Sequence, residues 1–203
     1  MHYRRSIVVS TLVAAVLAAS PVAVAQSAPK PGASCAMSGM AVTVKKINYV
    51  CQRQGDALKW SKGLSVSPSR LKAKDMWAKA ADSGMTAVFG TIMNPTNRAV
   101  RVIAATTPFG PTQIHQVVMV DGAMTMTEKP GGLVIPARGS AELKPGADHL
   151  MLMKLSKPIK AGTRVPVTLI TSTGATMTFN AMGKPFSGGN ESYDENHGGM
   201  AMN

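Results

Sequence analysis

The sequence of 203 residues has few cysteines and few aromatic residues, and both shortages exclude classes of protein. Its only cysteines, Cys35 and Cys51, stand near the N-terminus, so the rest of the chain has no thiol. A blue-copper electron carrier binds its metal through a cysteine and two histidines, and the sequence lacks that combination after residue 51. It also has no nucleophile elbow, paired catalytic carboxylate motif or zinc signature. We therefore expect a protein that is not an enzyme.

Acidic residues are scarce too, with 10 of them against 22 lysines and arginines. Without its first 25 residues the chain has 20 basic and 10 acidic residues, a net charge of +10. Such a balance attracts anionic polymers. The lysines are scattered, however, and only nine residues are aromatic (two Trp, three Tyr and four Phe). The charge therefore favours a basic surface that contacts anionic cell-envelope polymers, with no nucleic acid partner.

The N-terminus has the three parts of a secretory signal peptide. A basic region at His2–Arg5 precedes an apolar run at Ile7–Ala19, and Ala23–Ala25 supplies the small residues that a signal peptidase reads. We predict a signal peptide over residues 1–25 with cleavage after Ala25. An uncleaved membrane anchor is the alternative, which Pro21 and the small residues disfavour. The mature protein is then expected in the periplasm, cell envelope or medium, without stable membrane insertion.

The two cysteines are predicted to form a disulfide within an N-terminal segment, residues 26–66. An even number of cysteines in an exported protein usually means that they are paired. The alternative is a metal site on both thiols. The residues before Cys35 match a lipoprotein signal poorly. Between and after the cysteines, three runs favour short strands: Ala41–Val44, Ile47–Val50 and Leu58–Trp60.

Residues 67–182 are predicted to form one all-β domain. Short apolar runs alternate with Gly- and Pro-containing turns, which is typical of an antiparallel sandwich or barrel. No stretch there has a helical period over a dozen residues. The predicted strands are Met85–Met93, Ala99–Ala105, Gln113–Val120, Met124–Thr127, Ala141–Lys144, His149–Leu155, Val165–Thr171 and Ala175–Asn180.

The stretch Gln113–Leu155 carries the residues with distinctive chemistry. His149 to Met153 alternates strictly, so a strand would place Leu150 and Leu152 on one face and His149, Met151 and Met153 on the other. Methionine is also an ordinary core residue, which is the structural alternative. Two histidines accompany the methionines here, however, and imidazoles with thioethers suit a soft ion such as Cu(I). The pattern therefore indicates a copper site.

The spacing also resembles a known family, the PCuAC-type copper chaperones of the bacterial periplasm. His115, ten intervening residues, Met126 and then His149-x-Met151 are similar to that family's signature. The flanking sequence segments agree with it over about residues 67–182, notably Gln113–Gly122, Gly131–Pro136, Glu142–Gly146 and His149–Met153. One departure is the gap of twenty-two residues between Met126 and His149, which is one longer than the family's usual pattern.

The resemblance implies a fold, a ligand set and a role. The fold would be a cupredoxin-like, antiparallel Greek-key β-barrel. The ligands would be His115, Met126, His149 and Met151, which hold Cu(I) in an exposed site. The protein would deliver the ion to the CuA subunit of cytochrome c oxidase or to its assembly factors. Copper storage or resistance would use the same site, and a metal-free β-sandwich for binding or adhesion is the other alternative.

Secondary copper ligands are predicted beside the main site and in the tail. Met119 and Met153 stand next to the proposed ligands and would shield or relay the ion; packing in the sheet is their alternative role. Residues 183–203 are rich in glycine and are predicted to be a disordered tail. Its His197, Met200 and Met202 would form a weaker site for Cu(I), with Cu(II) as a further candidate; a tail that binds nothing is the alternative.

Overall fold

The structure, a computed structural model, describes residues 28–187 and the backbone of residues 192–193. Those residues form strands and turns, without a helix long and apolar enough to cross a membrane. The strands are β1 (Ala41–Val44), β2 (Ile47–Gln54), β3 (Ala57–Trp60), β4 (Leu64–Ser65), β5 (Ser67–Pro68), β6 (Lys72–Lys79), β7 (Thr86–Met93), β8 (Val100–Thr106), β9 (Thr112–Val120), β10 (Ala123–Glu128), β11 (Leu133–Ile135), β12 (Ser140–Leu143), β13 (His149–Leu152), β14 (Arg164–Thr171), β15 (Ala175–Lys184) and β16 (Ser192–Tyr193).

The strands form a small N-terminal sheet and a large sheet. The small sheet has the order β1-β2-β3, with β4 also paired to β2. The large sheet has the order β11-β8-β14-β15-β6-β7-β13-β9-β10-β16, with β12 on β7 and β5 on β15. Neighbours that are distant in sequence, such as β8 with β14 and β7 with β13, give the crossing connections of Greek-key folds. The predicted all-β, mostly antiparallel class is confirmed.

Three pairings are parallel, which the sequence did not predict. Strand β15 runs parallel to both β5 and β6, and β16 runs parallel to β10. Parallel neighbours need long connections, and here most of the domain lies between β6 and β15. The first and last long strands of the domain are therefore neighbours in the middle of the large sheet.

Strand β6 was absent from the predicted strands because a bulge interrupts its alternation. The register shifts between Lys74 and Trp77, and Asp75 has a φ of 54°. A glycine on the facing strand makes room for this bulge. A Cβ on Gly90 would lie 2.6 Å from the Met76 sulfur and 3.0 Å from the Asp75 carbonyl oxygen. Polar and apolar residues in β6 thus fall out of step with a simple two-residue period.

The main core is aliphatic and lies inside the large sheet. Leu150 and Leu152 of β13 are fully buried in it, beside Ile92, Leu143 and Leu169. A separate cluster lies on the other face of β13 and β7. We call it the methionine cluster; its buried members are Ala87, Phe89, Met126, Met151 and Met153. The predicted separation of leucines from methionines along β13 is therefore what the structure shows.

The N-terminal segment is held together by the predicted disulfide and packs onto the large sheet. Cys35 and Cys51 are bonded, with their Cα atoms 5.9 Å apart, which confirms the pairing and excludes a site on two free thiols. Val50 packs with Ala104 and Ile170 of the large sheet. The buried Asn48 side chain donates to the Gly174 carbonyl oxygen at 3.4 Å. The segment is therefore docked on the sheet and does not extend away from it.

The chain crosses between the two sheets near Val66. Strand β4 pairs with β2 of the small sheet, whereas β5, which begins two residues later, pairs with β15 of the large one. At the other end, β15 runs through Lys184, beyond the expected domain end at residue 182. Gly183 and Lys184 pair with Ala78 and Lys79, so both belong to the sheet and not to a tail.

Candidate metal centre

The two histidines of the predicted site lie directly opposite each other on neighbouring strands. His115 of β9 is the register partner of His149 of β13. Residues directly opposite in an antiparallel pair point to the same face. The two imidazole rings accordingly meet edge to face, with their centroids 5.7 Å apart. Both side chains are buried, with exposed fractions of 0% and 2%.

Both predicted methionine ligands lie on that same face. Met151 follows His149 by two positions in β13, so their side chains point the same way. Met126 of β10 is the partner of Val117, which follows His115 by two positions in β9. Met126, Met151 and Met153 all belong to the methionine cluster. The additional residue between Met126 and His149 therefore does not remove Met126 from the face that carries the histidines.

The ring nitrogens of both histidines are oriented by neighbouring acceptors. His149 Nδ1 is 2.9 Å from the Ala147 carbonyl oxygen, which can only accept, so Nδ1 carries the proton. His115 Nε2 is 3.1 Å from Oε1 of Gln113 and donates to it. A neutral imidazole has one N–H and one lone pair. The lone pairs are thus on Nε2 of His149 and Nδ1 of His115, and these atoms would bind a metal.

Burial keeps His115 neutral. Desolvation, followed by the nearby His149, lowers the pKa of His115 from 6.5 to about 3. A neutral imidazole is the form that coordinates metals. Protons therefore do not compete for His115 near neutral pH.

A polar clamp holds the strand ends next to the histidines. Lys129, just after β10, forms an ion pair of 3.0 Å with Asp148, the residue before His149. The same ammonium donates to Oε1 of Gln116 in β9 at 3.2 Å. One side chain therefore connects all three strands that carry the predicted ligands.

The four predicted ligands are less accessible than the resemblance implied. Met126 and Met151 are 8% and 5% exposed, and both histidines are buried as well. The reason is that the methionine cluster packs under neighbouring elements, with Met37 and Trp77 against it. Phe186 in turn stacks edge-on against Trp77, at 5.3 Å between ring centroids. The expected exposed site is thus a buried one in this structure.

A cavity of about 80 Å³ opens beside the ligands. His149, Met126 and Met151 line it, together with Phe89 and Met85. Met85 is 41% exposed, so it connects the cavity to the surface. The spacing of histidines and methionines could not single out Met85, because it lies outside the motif, immediately before β7.

The secondary residues have different surroundings. Met153 is in the methionine cluster and lies one residue beyond the end of β13. The chain turns at the next residue, Lys154, which has a φ of 49°. Met119 is 63% exposed and faces Met124 across the β9–β10 hairpin. His197, Met200 and Met202 lie outside the described residues. The chain before them pairs at Ser192–Tyr193 with Thr125–Met126.

The donor set fits a soft monovalent ion. Within the described part of the chain, no three His, Cys, Asp or Glu side chains come together as a metal-binding group. What converges instead is two imidazoles and several thioethers on one face. Thioether sulfur selects Cu(I), whereas harder divalent ions prefer oxygen ligands. The residues present therefore fit copper in its reduced state.

The family described as "Putative lipoprotein LpqE-like" matches residues 71–182, more than half of the chain. The chain belongs to the LpqE-like family. This membership confirms the predicted family resemblance, because the LpqE-like family is of the PCuAC type. A relative from Leifsonia xyli subsp. xyli (strain CTCB07), "Putative lipoprotein Lxx21020", is 43% identical over 118 residues, which are 58% of this chain and 71% of the relative.

Solved structures similar to this LpqE-like chain include two proteins described with copper. The "Copper-bound PCuAC domain from PmoF2" is 18% identical, with a TM-score of 0.48, over 59% of this chain and 96% of that one. The Cu(I) form of DR1885 from Deinococcus radiodurans is 29% identical, with a TM-score of 0.44, over 58% of this chain and 82% of that one.

Proposed function

We propose that this protein carries Cu(I) outside the cytoplasm and passes it to a copper-accepting protein. The observation that supports the proposal is the convergence of His115, Met126, His149 and Met151 on one face of β9, β10 and β13. Three of these four side chains also line one small cavity. Two of the solved structures to which the chain is similar are described as copper-bound or Cu(I) proteins.

The ligand set suits a carrier because none of its members has to lose a proton at neutral pH. Thioethers carry no proton, and burial keeps the His115 ring neutral. Thiolates would hold Cu(I) more tightly, but in an oxidising compartment they are lost to disulfides, as Cys35 and Cys51 show. Neutral soft ligands therefore hold the ion while leaving it exchangeable.

Transfer would proceed by ligand exchange at the cavity that Met85 connects to the surface. A thiolate or thioether of the acceptor enters while one methionine of the carrier leaves, so the copper keeps its oxidation state. The acceptor class we propose is a CuA-type site of cytochrome c oxidase or an assembly factor for it. Transfer of Cu(I) to a CuA-type fragment tests this role. Intact binding without transfer would favour storage or resistance instead.

Export is the second part of the proposal. The basic and apolar residues that precede Ala25 form a signal peptide, so we expect the mature chain to begin at Gln26. The relative from Leifsonia is described as a lipoprotein. In this chain both cysteines are joined in a disulfide, so neither sulfur is available for a thioether-linked lipid. Mass spectrometry of the secreted protein should give the unmodified mass of residues 26–203, and a lipid adduct would contradict this.

The deciding experiment is an anaerobic Cu(I) titration of the mature protein against a chromogenic competitor. The wild type should bind one ion tightly at this site, and a His115→Ala/Met151→Ala double variant should lose that binding. Binding that survives in the double variant would move the site to the tail residues His197, Met200 and Met202. No binding by the wild type would support the metal-free β-sandwich, for which the burial of Met126 and Met151 is the favouring observation.

A further inference from the structure

The disulfide-stapled loop reaches from the N-terminal sheet to the strand that carries His115. Its backbone is fixed by Cys51, whose N–H donates to the Met40 carbonyl oxygen at 2.8 Å and whose own carbonyl accepts from Gly39 at 2.9 Å. Gly39 lies against β9. A Cβ there would stand 3.3 Å from the Thr112 carbonyl oxygen and 3.6 Å from the Gln113 Cα. This close approach, together with a φ of 77° at Gly39, favours glycine at this position.

The Gln113 side chain joins this loop to the metal centre. Gln113 is 5% exposed, and its Nε2 donates to the Ser38 carbonyl oxygen at 3.3 Å. A carbonyl can only accept, so this contact fixes which end of the amide is which. The Oε1 atom must then face His115 and accept from its Nε2 at 3.1 Å. The loop thus determines, through one amide, which nitrogen of His115 carries the lone pair.

The loop also adds a sulfur atom to the surroundings of the metal centre. Met37, next to Ser38, is half-buried and packs against the methionine cluster that contains Met126 and Met151. A thioether at that place is chemically equivalent to the two proposed methionine ligands. No spacing rule within residues 113–153 could point to Met37, because it lies more than seventy residues earlier in the chain.

We infer that the Cys35–Cys51 loop contributes to the copper site, by positioning one ligand and by supplying another. Ser38 positions Gln113, Gln113 holds His115 with Nδ1 ready to bind the ion, and Met37 contributes a further thioether. Gln113 is a positioning residue, since it acts through His115. This inference rests on the proposed Cu(I) function. Its tautomer component is a property of the apo protein and can be tested separately.

Variants at Gln113 test how it positions His115, with Gln116 as the comparison. Gln113 and Gln116 are both in β9, but Gln116 bonds to Lys129 and not to a histidine. Loss of an outer-shell partner typically lowers metal affinity by about 10–100-fold. We expect that loss for Gln113→Leu and a smaller one for Gln116→Leu, which removes one contact of Lys129 but leaves its ion pair with Asp148. Gln113→Glu keeps an acceptor for Nε2–H but loses the donor to the Ser38 carbonyl oxygen, so it should restore the His115 orientation only in part.

Nitrogen-15 NMR of the apo protein gives a measurement that a purely structural role would not change. Wild-type His115 should show a protonated Nε2 and an unprotonated Nδ1, and Gln113→Leu should shift toward a mixture of tautomers. A Gln113→Leu protein that keeps both the single tautomer and the Cu(I) affinity would overturn the inference. If the wild type shows the expected tautomer but binds no Cu(I), the proposed function fails, while the positioning of His115 by Gln113 remains.

The loop itself is tested with Cys35→Ala/Cys51→Ala and with Met37→Leu. The aliphatic core contains no residue before Leu71, so the large sheet should remain folded without the disulfide, as circular dichroism would verify. We expect weaker Cu(I) binding and mixed His115 tautomers in the double variant. Met37→Leu keeps the apolar volume, and X-ray absorption should show one fewer copper–sulfur contact. An unchanged sulfur count would remove Met37 from the site, and unchanged affinity in the double variant would remove the loop.

Discussion

The two faces of β13 are equally buried and chemically opposite. Leu150 and Leu152 point into the aliphatic core and are 0% exposed. Met151 and His149 point the other way, into the methionine cluster and toward His115, and are 5% and 2% exposed. A strand buried on both faces normally reads as continuous aliphatic residues. Here one face has only hydrocarbon, whereas the other has sulfur and nitrogen atoms with lone pairs.

This contrast shows that a strand can be buried on both faces while only one face carries groups that can coordinate a metal. The aliphatic face contributes packing and has no group that could coordinate an ion. The other face excludes water around ligands that remain neutral, which favours a soft ion of low charge over a hydrated divalent one. Substitutions on the two faces should therefore separate folding from metal binding.

Shortening a side chain on the aliphatic face should have the largest effect. Leu150 is fully buried, so Leu150→Ala leaves a cavity and should lower the free energy of unfolding by roughly 2–5 kcal/mol. Chemical denaturation measures this. The Cu(I) affinity of the folded variant should match the wild type, and a large loss of affinity would show that the two faces are not separable.

Acid should destabilise the metal face through His115. Its folded pKa is about 3, against 6.5 for the unfolded chain. The unfolded state therefore binds the proton first, and the stability present above pH 6.5 is lost as the pH falls toward 3. Between pH 7 and pH 5 the loss from this group is about 2 kcal/mol. Denaturation of apo protein at several pH values measures it, and a His115→Leu variant should show a flatter profile. Equal slopes for the two proteins would contradict the prediction.

A substitution that removes a sulfur atom but keeps the side-chain volume should affect Cu(I) affinity more than the free energy of unfolding. Met151→Leu should change the free energy of unfolding by less than about 1.5 kcal/mol, because Leu and Met have similar volumes. Its Cu(I) affinity should fall, because one thioether ligand is gone. Thermal unfolding and competitive titration on the same sample measure both quantities. Unchanged affinity would assign Met151 to packing alone.

The exposed methionines of the β9–β10 hairpin should have the smallest effect. Met119 is 63% and Met124 is 44% exposed. Met119→Leu or Met124→Leu should change the free energy of unfolding by no more than about 0.5 kcal/mol. The equilibrium Cu(I) affinity should be unchanged. A measurable decrease in affinity would place the copper nearer the tip of the hairpin than the buried site.

The features that depend on local pattern could be predicted from the sequence. The alternation from His149 to Met153 and most strands followed from side-chain period and turn residues. The disulfide followed from an even number of cysteines in a chain expected to be exported. The bulged strand β6 did not, because Asp75 and Met76 break the two-residue period. Pairing across long separations was also beyond local pattern, including the parallel β6–β15 pair and the contact of Ser38 with Gln113.

The burial of the candidate site could not be predicted either. Accessibility depends on which elements cover a face, and here those elements come from far along the chain. Met37 and Trp77 pack on the methionine cluster, and Phe186 contacts Trp77. None of the three belongs to the His–Met motif. The motif predicted which side chains share a face, whereas the covering residues determine how an ion reaches them.

The Cys35–Cys51 bond has a consequence for when the protein matures. Disulfides form in oxidising compartments and rarely in the cytosol, so a chain that has not yet been exported still has two thiols. If the stapled loop completes the metal centre, a newly made chain has a weaker centre than the finished protein. Oxidation would then have to precede metal loading, because it completes the stapled loop and also removes two thiols that would otherwise compete for Cu(I).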